Sequence, residues 1–276
     1  MLSIPVEGVN RVLHVSKFAR NRVKVKVERI PVASEGGSVR LPQEIVDYIV
    51  EHISNDRSTL FACTHLSRTW CIAARPHLHR TFTVSDSAGF KAIKVLQRVG
   101  VIDLVRRVAV TRGIDQSDFL GPKALTGLNA FASLQELDLR YLDLGELVPR
   151  LHEGCDALRS AIRTLTLHYP TYNANHIFFF VNLFANLENL AVEGIDSVVT
   201  GDSQVPAIEL SPPLTGQLRL SRILDRNFIR YLGSMQKGVK FRTVDLRFCQ
   251  GMREIIDGCA GTMERLIWYD FDSRGA

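Results

Sequence analysis

"LQELDL" (residues 134–139) has leucines at its first, fourth and sixth positions, and this apolar spacing recurs from about residue 80 to residue 268. The last two apolar positions of each copy are separated by one residue, which predicts a short strand with one buried face. The complete copies are Val105/Val108/Val110, Leu134/Leu137/Leu139, Ile162/Leu165/Leu167, Leu187/Leu190/Val192, Phe241/Val244/Leu246 and Met263/Leu266/Trp268, and the partial copies are Phe82/Val84 and Leu218/Leu220.

The copies follow one another at a regular distance. Their middle positions, residues 82, 108, 137, 165, 190, 218, 244 and 266, are 22 to 29 residues apart. The intervening segments 88–99, 148–162, 227–238 and 252–266 have the apolar periodicity of helices. Strand, helix and strand at this spacing predict an α/β fold with a parallel sheet and right-handed crossovers. Residues 201–217 contain three prolines and are expected to form a long loop.

The repeat period resembles that of leucine-rich repeats, which implies an α/β solenoid whose repeats bury their apolar positions against one another. Such repeats carry Asn or Cys three residues after the last apolar position, and only Cys249 matches here, so the repeats are irregular. A solenoid normally ends in a polar cap. Either the final repeat packs on another molecule or the chain is shortened relative to a longer relative, and we favour the second explanation.

A different pattern precedes the repeats. In "LPQEIVDYIVEHI" (41–53), Ile45, Ile49 and Ile53 form one apolar stripe, and Val46 and Val50 form a second stripe beside it. The spacing predicts a helix from about 42 to 53, with Pro42 in its first turn.

Two further short helices are predicted after this one. "SNDRS" (54–58) breaks the first helix and supplies caps for the second, which carries Leu60 and Cys63. The third spans 67–78, and Pro76 is expected to mark its end. Three helices in about 40 residues usually need disulfides, a metal or a partner to be stable. No metal-binding set is evident in the sequence, so we expect a partner surface.

The segment resembles the F-box, a family whose members start with Leu-Pro-x-Glu and an apolar helix and continue with Leu-x-x-Cys. An apolar-Ser/Cys-Arg/Lys-x-Trp stretch and a short closing helix then follow. The matching positions here are Leu41, Pro42, Glu44, Ile45, Ile49, Ile53, Leu60, Cys63, Leu66, Ser67, Arg68 and Trp70. Residues 74–84 look like the exit of this module in fungal F-box proteins. The natural competitor is a helix-turn-helix DNA reader, but the third helix offers a DNA groove only Arg68 and Arg75.

The resemblance implies that the module docks on the Skp adaptor of Skp–cullin–F-box ubiquitin ligases and, through it, on a cullin. The residues it implies to face the adaptor, or to support that face, are Leu41, Pro42, Ile45, Ile49, Leu60 and Trp70. For any one of them, internal packing is an equally good interpretation. As a set, they provide more apolar surface than a three-helix core can hide.

The repeats are then expected to hold a protein substrate on the open face of the sheet. The residue between the two buried positions of each strand should point to that face. These residues are Thr83, Ala109, Asp138, Thr166, Ala191, Arg219, Asp245 and Ile267. Asp138, Thr166, Arg219 and Asp245 are the candidate substrate-facing residues, although each is also interpretable as an ordinary solvated side chain.

The net charge of +5 belongs entirely to the N-terminus. Residues 1–40 hold eight Lys/Arg and three Asp/Glu, whereas residues 41–276 hold 26 of each. The folded part therefore has no basic excess, and nucleic acid is not an expected partner. Residues 22–32 alternate valine with charge and predict a strand in an otherwise mobile basic tail, followed by a linker at 33–38. A transit peptide over residues 9–22 is the alternative.

No catalytic motif occurs in the sequence: GxSxG, the P-loop, HExxH and GxGxxG are all absent. We therefore expect no enzyme activity and no cofactor. The five cysteines form no CxxC pair and there is no glycosylation sequon, which favours a reducing compartment, cytoplasmic or nuclear. The longest apolar run, residues 177–184, is shorter than the roughly 18 residues of a membrane span, so no membrane association is expected.

The predicted organisation is a basic tail and linker (1–39), an F-box-like helical module (40–80) and an irregular leucine-rich-repeat solenoid (81–276). The function that follows is a non-catalytic substrate-recruiting adaptor of a ubiquitin ligase. Two alternatives stay open. One is a leucine-rich-repeat interaction scaffold acting outside a ligase, and the other is a basic-tailed nucleic-acid or organelle protein. The sequence does not identify the substrate.

Overall fold

A computed structural model of the chain describes residues 3–5, 11–16, 24–29, 41–85, 87–112, 127–144, 147, 156–170, 174–195, 214–225, 228–229, 232, 240–249 and 252–269. At 3–5, 11–16, 24–29, 87–88, 174–175 and 254 it describes the backbone alone. The chain divides into two compact units, Met1–Arg80 and Thr81–Ala276. Within the described residues, no helix is both long enough and apolar enough to cross a membrane.

The first unit begins with a three-stranded antiparallel sheet in the order β1 (Ser3–Pro5), β2 (Arg11–Ser16) and β3 (Lys24–Arg29). The valine alternation predicts β3, which is present. Its pairing with β2 was not predicted, because no turn signal links the two segments. The predicted linker at 33–38 lies outside the described residues.

Three helices follow: α1 (Gln43–His52), α2 (Arg57–Cys63) and α3 (Arg68–Leu78). Asp56 caps α2 by accepting hydrogen bonds from the backbone N–H groups of Ser58 (3.1 Å) and Thr59 (3.2 Å). The span predicted for the third helix, 67–78, agrees with α3, but the helix ends at Leu78, two residues after the expected stop at Pro76. Pro76 lies in the last turn, where its missing N–H removes only one helical hydrogen bond.

These helices enclose a small core of their own. It consists of Val46, Val50, Leu60, Cys63, Leu66 and Ala74, with Ile53, Trp70, Ala73 and Leu78 packed around it. Helix α3 contacts both α1 and α2 and therefore holds the three together.

The second unit is an α/β structure with one eight-stranded sheet, all of whose neighbouring strands are parallel. The strands are β4 (Thr81–Val84), β5 (Arg107–Thr111), β6 (Glu136–Arg140), β7 (Thr164–His168), β8 (Asn189–Ile195), β9 (Gln217–Ile223), β10 (Thr243–Arg247) and β11 (Arg265–Tyr269). They lie in chain order across the sheet. The predicted α/β class with a parallel sheet is therefore confirmed.

The register of the strands follows the sequence repeat. The middle apolar positions, residues 82, 108, 137, 165, 190, 218, 244 and 266, are directly paired from each strand to the next. Because side chains alternate along a strand, one face of the sheet is apolar and the other carries the intervening residues.

Helices occupy several of the connections between strands. They are α4 (Ser87–Arg98), α5 (Asp156–Ala161), α6 (Ala174–Asn182) and α7 (Met252–Cys259), and 3₁₀ turns at Ile102–Leu104 and Leu128–Ala130 precede β5 and β6. The helix predicted over 252–266 ends earlier than expected, at Cys259, because β11 begins at Arg265. Of the predicted loop 201–217, residues 201–213 lie outside the described residues.

The core lies against the apolar face of the sheet. Its largest fully buried side chains are Phe178, Phe180, Phe184, Phe228 and Phe241. At the last strand this face is open: Leu266 is 40% exposed and Trp268 is 55% exposed among the described residues. The apolar packing therefore extends from β4 to β10 and weakens at β11.

Candidate functional site

The two apolar stripes of α1 have different environments. Val46 and Val50 are buried against α2 and α3, whereas Leu41 is 45% exposed and Ile45 is 46% exposed. Tyr48, one turn after Ile45, is 60% exposed. The valine stripe thus belongs to the small core, whereas the isoleucine stripe is exposed only at its start, because Ile49 is half-buried and Ile53 packs on the small core.

The structure separates the six residues that the resemblance implied for adaptor docking. Leu41, Pro42 and Ile45 are exposed and Ile49 is half-buried. Leu60 is not available for contact, because it is buried at 1% exposure in the small core. Trp70 is partly buried and packs on the same core. Leu60 and Trp70 can therefore act only by supporting the helices, or, for Trp70, through the part of its ring that stays exposed.

Besides Tyr48, two exposed apolar residues on α2 and α3 were missed by the sequence analysis. Phe61 on α2 is 60% exposed and Ile72 on α3 is 58% exposed. The sequence contains a sign of this exposure, because both residues fall outside the apolar periodicity that forms the small core. Five of the twelve exposed large apolar side chains of the described residues therefore lie within 41–80.

The open face of the sheet carries a buried carboxylate held by arginines. Asp138 on β6 is 1% exposed. It accepts hydrogen bonds from Nη2 of Arg107 on β5 (2.7 Å) and from Nε and Nη2 of Arg140 on its own strand (3.1 and 2.8 Å). Burial alone raises the pKa of Asp138, but the hydrogen bonds from Arg140 and Arg107 outweigh it, so the pKa is lowered overall. The carboxylate is therefore charged at neutral pH.

His168 on β7 extends this cluster across the sheet. Its Nε2 lies 3.6 Å from Oδ1 of Asp138, and its Nδ1 lies 2.8 Å from Oε2 of Glu193 on β8. Four neighbouring strands thus contribute charged or ionisable groups to one connected row.

A second cluster of the same kind lies on β9 and β10. Asp245 is 1% exposed and accepts two hydrogen bonds of 2.9 Å from Arg247, while Nε of Arg219 lies 3.3 Å from its Oδ2. The Arg247 guanidinium stands 5.3 Å from the ring centroid of Tyr269, within the range of a cation–π contact. The hydrogen bond to Asp245 raises the pKa of Arg247.

The expectation that Asp138 and Asp245 point to solvent is wrong. Both occupy the predicted face, but arginines from the same and adjacent strands cover their carboxylates, as described above. Ala109 is also buried. Thr83 and Arg219 are exposed, and Thr166, Ala191 and Ile267 are half-buried.

Arginines rather than aspartates therefore form the accessible charge of this face. The side chains of Arg107, Arg140, Arg219 and Arg247 are 38%, 42%, 54% and 44% exposed. The sequence carries a signal for this arrangement: "LDLR" at 137–140 and "VDLR" at 244–247 place Arg two residues after Asp, on the same face of a strand.

A backbone feature repeats beyond the last apolar position of successive strands. One position at or just beyond the C-terminal end of each of five neighbouring strands has a positive φ, between 47° and 74°, and the strand register aligns these positions with one another. They are Tyr141, Tyr169, Gly194, Arg222 and Phe248. The rings of Tyr141 and Tyr169 stack with centroids 5.5 Å apart, and Arg222 donates to the Tyr169 hydroxyl (2.9 Å). Four of these five positions are not glycine, so their backbone is strained, and backbone strain of this kind often accompanies a functional surface.

A pocket of about 260 Å³ opens on the same face of the sheet, at β4, β5 and β6. Its lining residues are Thr81, Thr83, Arg107, Ala109, Thr111, Asp138 and Arg140. The lining combines two guanidinium groups, one carboxylate and three hydroxyls, which is a hydrogen-bonding rather than an apolar environment.

The described residues include no group of His, Cys, Asp and Glu side chains that could hold a metal ion. Burial raises the pKa of the thiols of Cys63, Cys249 and Cys259, which disfavours the reactive thiolate at these three positions. No protein-family model matches the chain, and no curated protein sequence is significantly similar to it.

Proposed function

We propose that the protein is a non-catalytic substrate-recruiting adaptor of a Skp–cullin–F-box ubiquitin ligase. Residues 41–80 act as an F-box-like module that docks a Skp-type adaptor, and residues 81–276 act as a leucine-rich-repeat-like solenoid that holds a protein substrate. The observation that carries this proposal is the contrast between the buried Val46 and Val50 of α1 and an exposed stripe formed by Leu41, Ile45 and Tyr48.

The exposed stripe offers a physical reason to bind a partner. Full burial of a Leu or Ile side chain is worth about 1.5–3 kcal/mol, so covering the exposed halves of Leu41 and Ile45 would contribute roughly 1 kcal/mol each. Tyr48 adds a larger ring with a polar end, which suits the edge of an interface. The match of residues 41–70 to the F-box pattern is what favours a Skp-type adaptor as the partner.

The regular sheet supports the second half of the proposal. Eight strands in chain order, with a repeat of 22 to 29 residues and an in-register apolar face, are what a leucine-rich-repeat solenoid requires. Its open face carries the arginine–aspartate clusters, and the stacked rings of Tyr141 and Tyr169 lie just beyond the strand ends. A partner could therefore contact both charged groups and aromatic rings.

The mechanism is proximity. The helical module tethers the chain to the ligase, and the sheet keeps a substrate lysine close to the ubiquitin-charged enzyme. Holding two reactants together raises their effective concentration without any reacting group on the tether itself.

The experiment is capture of partners from a cell extract by the full chain, followed by their identification. Wild type should retain a Skp-type adaptor and a cullin. Ile45→Asp should lose both, whereas Val95→Asp, a comparable change at a 52% exposed position of α4, should retain them. Capture of other proteins with no adaptor by the wild type would favour the alternative, an interaction scaffold outside a ligase.

A further inference from the structure

Arg107 and Arg140 are held in place before any ligand arrives. Asp138 is almost fully buried and engages both guanidinium groups through hydrogen bonds of 2.7–3.1 Å. An arginine fixed in this way has already lost the side-chain freedom that binding would otherwise cost.

Both arginines nevertheless keep surface available. Asp138 engages one nitrogen of Arg107 and two of Arg140, whereas a guanidinium carries five N–H donors. Their side chains are 38% and 42% exposed, and both line the pocket. The arrangement therefore presents positively charged donors to whatever enters.

The balance of charge in the pocket favours an anion. The lining holds two arginines and one aspartate, so its formal charge is +1, and the remaining lining residues are three threonines and an alanine. Glu136 lies opposite Arg107 in the strand register but is not among the lining residues. Planar guanidinium groups bind carboxylate and phosphate oxygens in matched geometry, and threonine hydroxyls add further donors.

The size of the pocket favours a terminal group over a whole small molecule. At about 260 Å³ it is smaller than the roughly 300–1,000 Å³ of typical small-molecule sites. Its lining comes from three adjacent strands of the open face, where an extended segment of a protein would lie across it.

We propose that this pocket binds an anionic oxygen group, a carboxylate or a phosphate, on a side chain of the protein that the sheet recruits, with Arg107 and Arg140 as its ligands. The identification of that protein as a ligase substrate rests on the proposed function. Anion binding by the pocket does not, and it is measurable without any adaptor.

The test uses the full chain and three peptides of identical sequence, except for a central glutamate, phosphoserine or glutamine. Binding is followed by the NMR signals of the arginine Nε–H groups and by peptide fluorescence. We expect the glutamate or the phosphoserine peptide to bind at least about tenfold more tightly than the glutamine peptide, the size of one charge-assisted hydrogen bond. The tighter of the two identifies the source of the anion. Equal binding of all three peptides would overturn the proposal.

Variants of the protein test whether the anion binds in this pocket. Arg107→Gln and Arg140→Gln should each abolish the preference for the anionic peptide, and Arg107→Lys should restore part of it. Arg106→Gln is the matched control, since it removes the same charge from an exposed neighbouring residue that does not line the pocket.

Arg140→Gln removes two hydrogen bonds to the buried Asp138 and can destabilise the fold. Thr83→Val therefore serves as a second probe. Thr83 is exposed and lines the pocket, and the change removes one hydroxyl without changing the charge. If the folded Arg107→Gln and Thr83→Val variants discriminate among the peptides as the wild type does, the pocket is not the site. Because adaptor binding is tested separately at Ile45, failure here leaves the proposed function standing.

Discussion

Arg140 holds the carboxylate of Asp138, two residues before it on the same strand, through both Nε and Nη2 at 3.1 and 2.8 Å. Arg107 reaches the same carboxylate from the adjacent strand. This face of the sheet was expected to present aspartates to a partner. It presents arginines instead, and the buried carboxylate of Asp138 holds them in place.

Replacing the anchor should destabilise the second unit. In Asp138→Asn the charged hydrogen bonds to the two arginines become weaker, which we expect to lower the free energy of unfolding by about 2 kcal/mol at pH 7. The measurement is urea denaturation followed by circular dichroism. Asp103→Asn, an exposed aspartate in a 3₁₀ turn, is the control and should change stability by less than about 0.5 kcal/mol.

The same variant has a predicted pH dependence. The pKa of Asp138 in the folded chain lies below the ordinary aspartate value of 3.8, so its charged form stabilises the fold above about pH 4. That contribution is lost as the pH falls through the lower folded pKa. The difference in stability between wild type and Asp138→Asn should therefore shrink as the pH drops below 4, and a difference that stays constant to pH 2 would contradict the pairing.

The cap of α2 should have its own acid transition. Hydrogen bonds from the side chains of Ser58 and Thr59 lower the pKa of Asp56 from 3.8 to about 2. Asp56→Ala should cost about 1 kcal/mol at pH 7, and the cost should shrink as the pH falls from 4 through the folded pKa of about 2. The fluorescence of Trp70 reports on these helices once Trp268, the other tryptophan, is replaced by Phe. Asn55→Ala, at the adjacent exposed position, should have little effect.

Two adjacent phenylalanines of α6 should differ sharply in how much each contributes to stability. Phe180 is fully buried and meets the Phe184 ring edge to face at 5.3 Å, whereas Phe179 is 46% exposed. Phe180→Ala is expected to cost about 3–5 kcal/mol, because it removes a large side chain from a packed core. Phe179→Ala should cost less than half as much. Similar losses in thermal or urea denaturation would mean that α6 does not face the core as described.

Alanine substitutions at three glycines distinguish the stability cost of backbone strain from the cost of a steric clash. A Cβ on Gly194 would lie 2.2 Å from Cδ1 of Tyr169, and its φ is +74°. Gly100 has φ +67° but no neighbour within 4 Å, and Gly261 has neither feature. We expect Gly261→Ala to be close to neutral and Gly100→Ala to cost about 1 kcal/mol. Gly194→Ala should cost more than Gly100→Ala, because the Tyr169 ring must also move. Equal costs for Gly100→Ala and Gly194→Ala would show that the ring does not rest on Gly194.

Much of the parallel sheet was predictable because its signal is local and repeated. The positions 82, 108, 137 and their successors each lie in a short apolar pattern, and regular connections of similar length bring them into register. The two stripes of α1 were also visible, but which of them faces the core was not. That choice depends on α3, which packs on α1 from more than 15 residues further along the chain.

The burial of Asp138 was not predictable from strand periodicity alone. Alternation assigns a side chain to a face, but its exposure depends on what the neighbouring strands contribute. Here a cation reaches it from Arg107, 31 residues earlier in the chain. The Asp-x-Arg spacing in 138–140 is the part of this interaction that a sequence does contain. Leu60 illustrates the same limit, because its motif position is known but its burial follows from the packing of all three helices.

The central claim, that the exposed stripe of α1 docks a Skp-type adaptor, is tested most directly by calorimetric titration of the purified full chain with a purified adaptor. Wild type and Val95→Asp should bind with the same affinity. Ile45→Asp should bind at least about tenfold more weakly, because it places a charge in the apolar contact, while the circular dichroism of the free chain stays unchanged. Equal affinity of the folded Ile45→Asp variant and the wild type, or no binding by the wild type, would contradict the account.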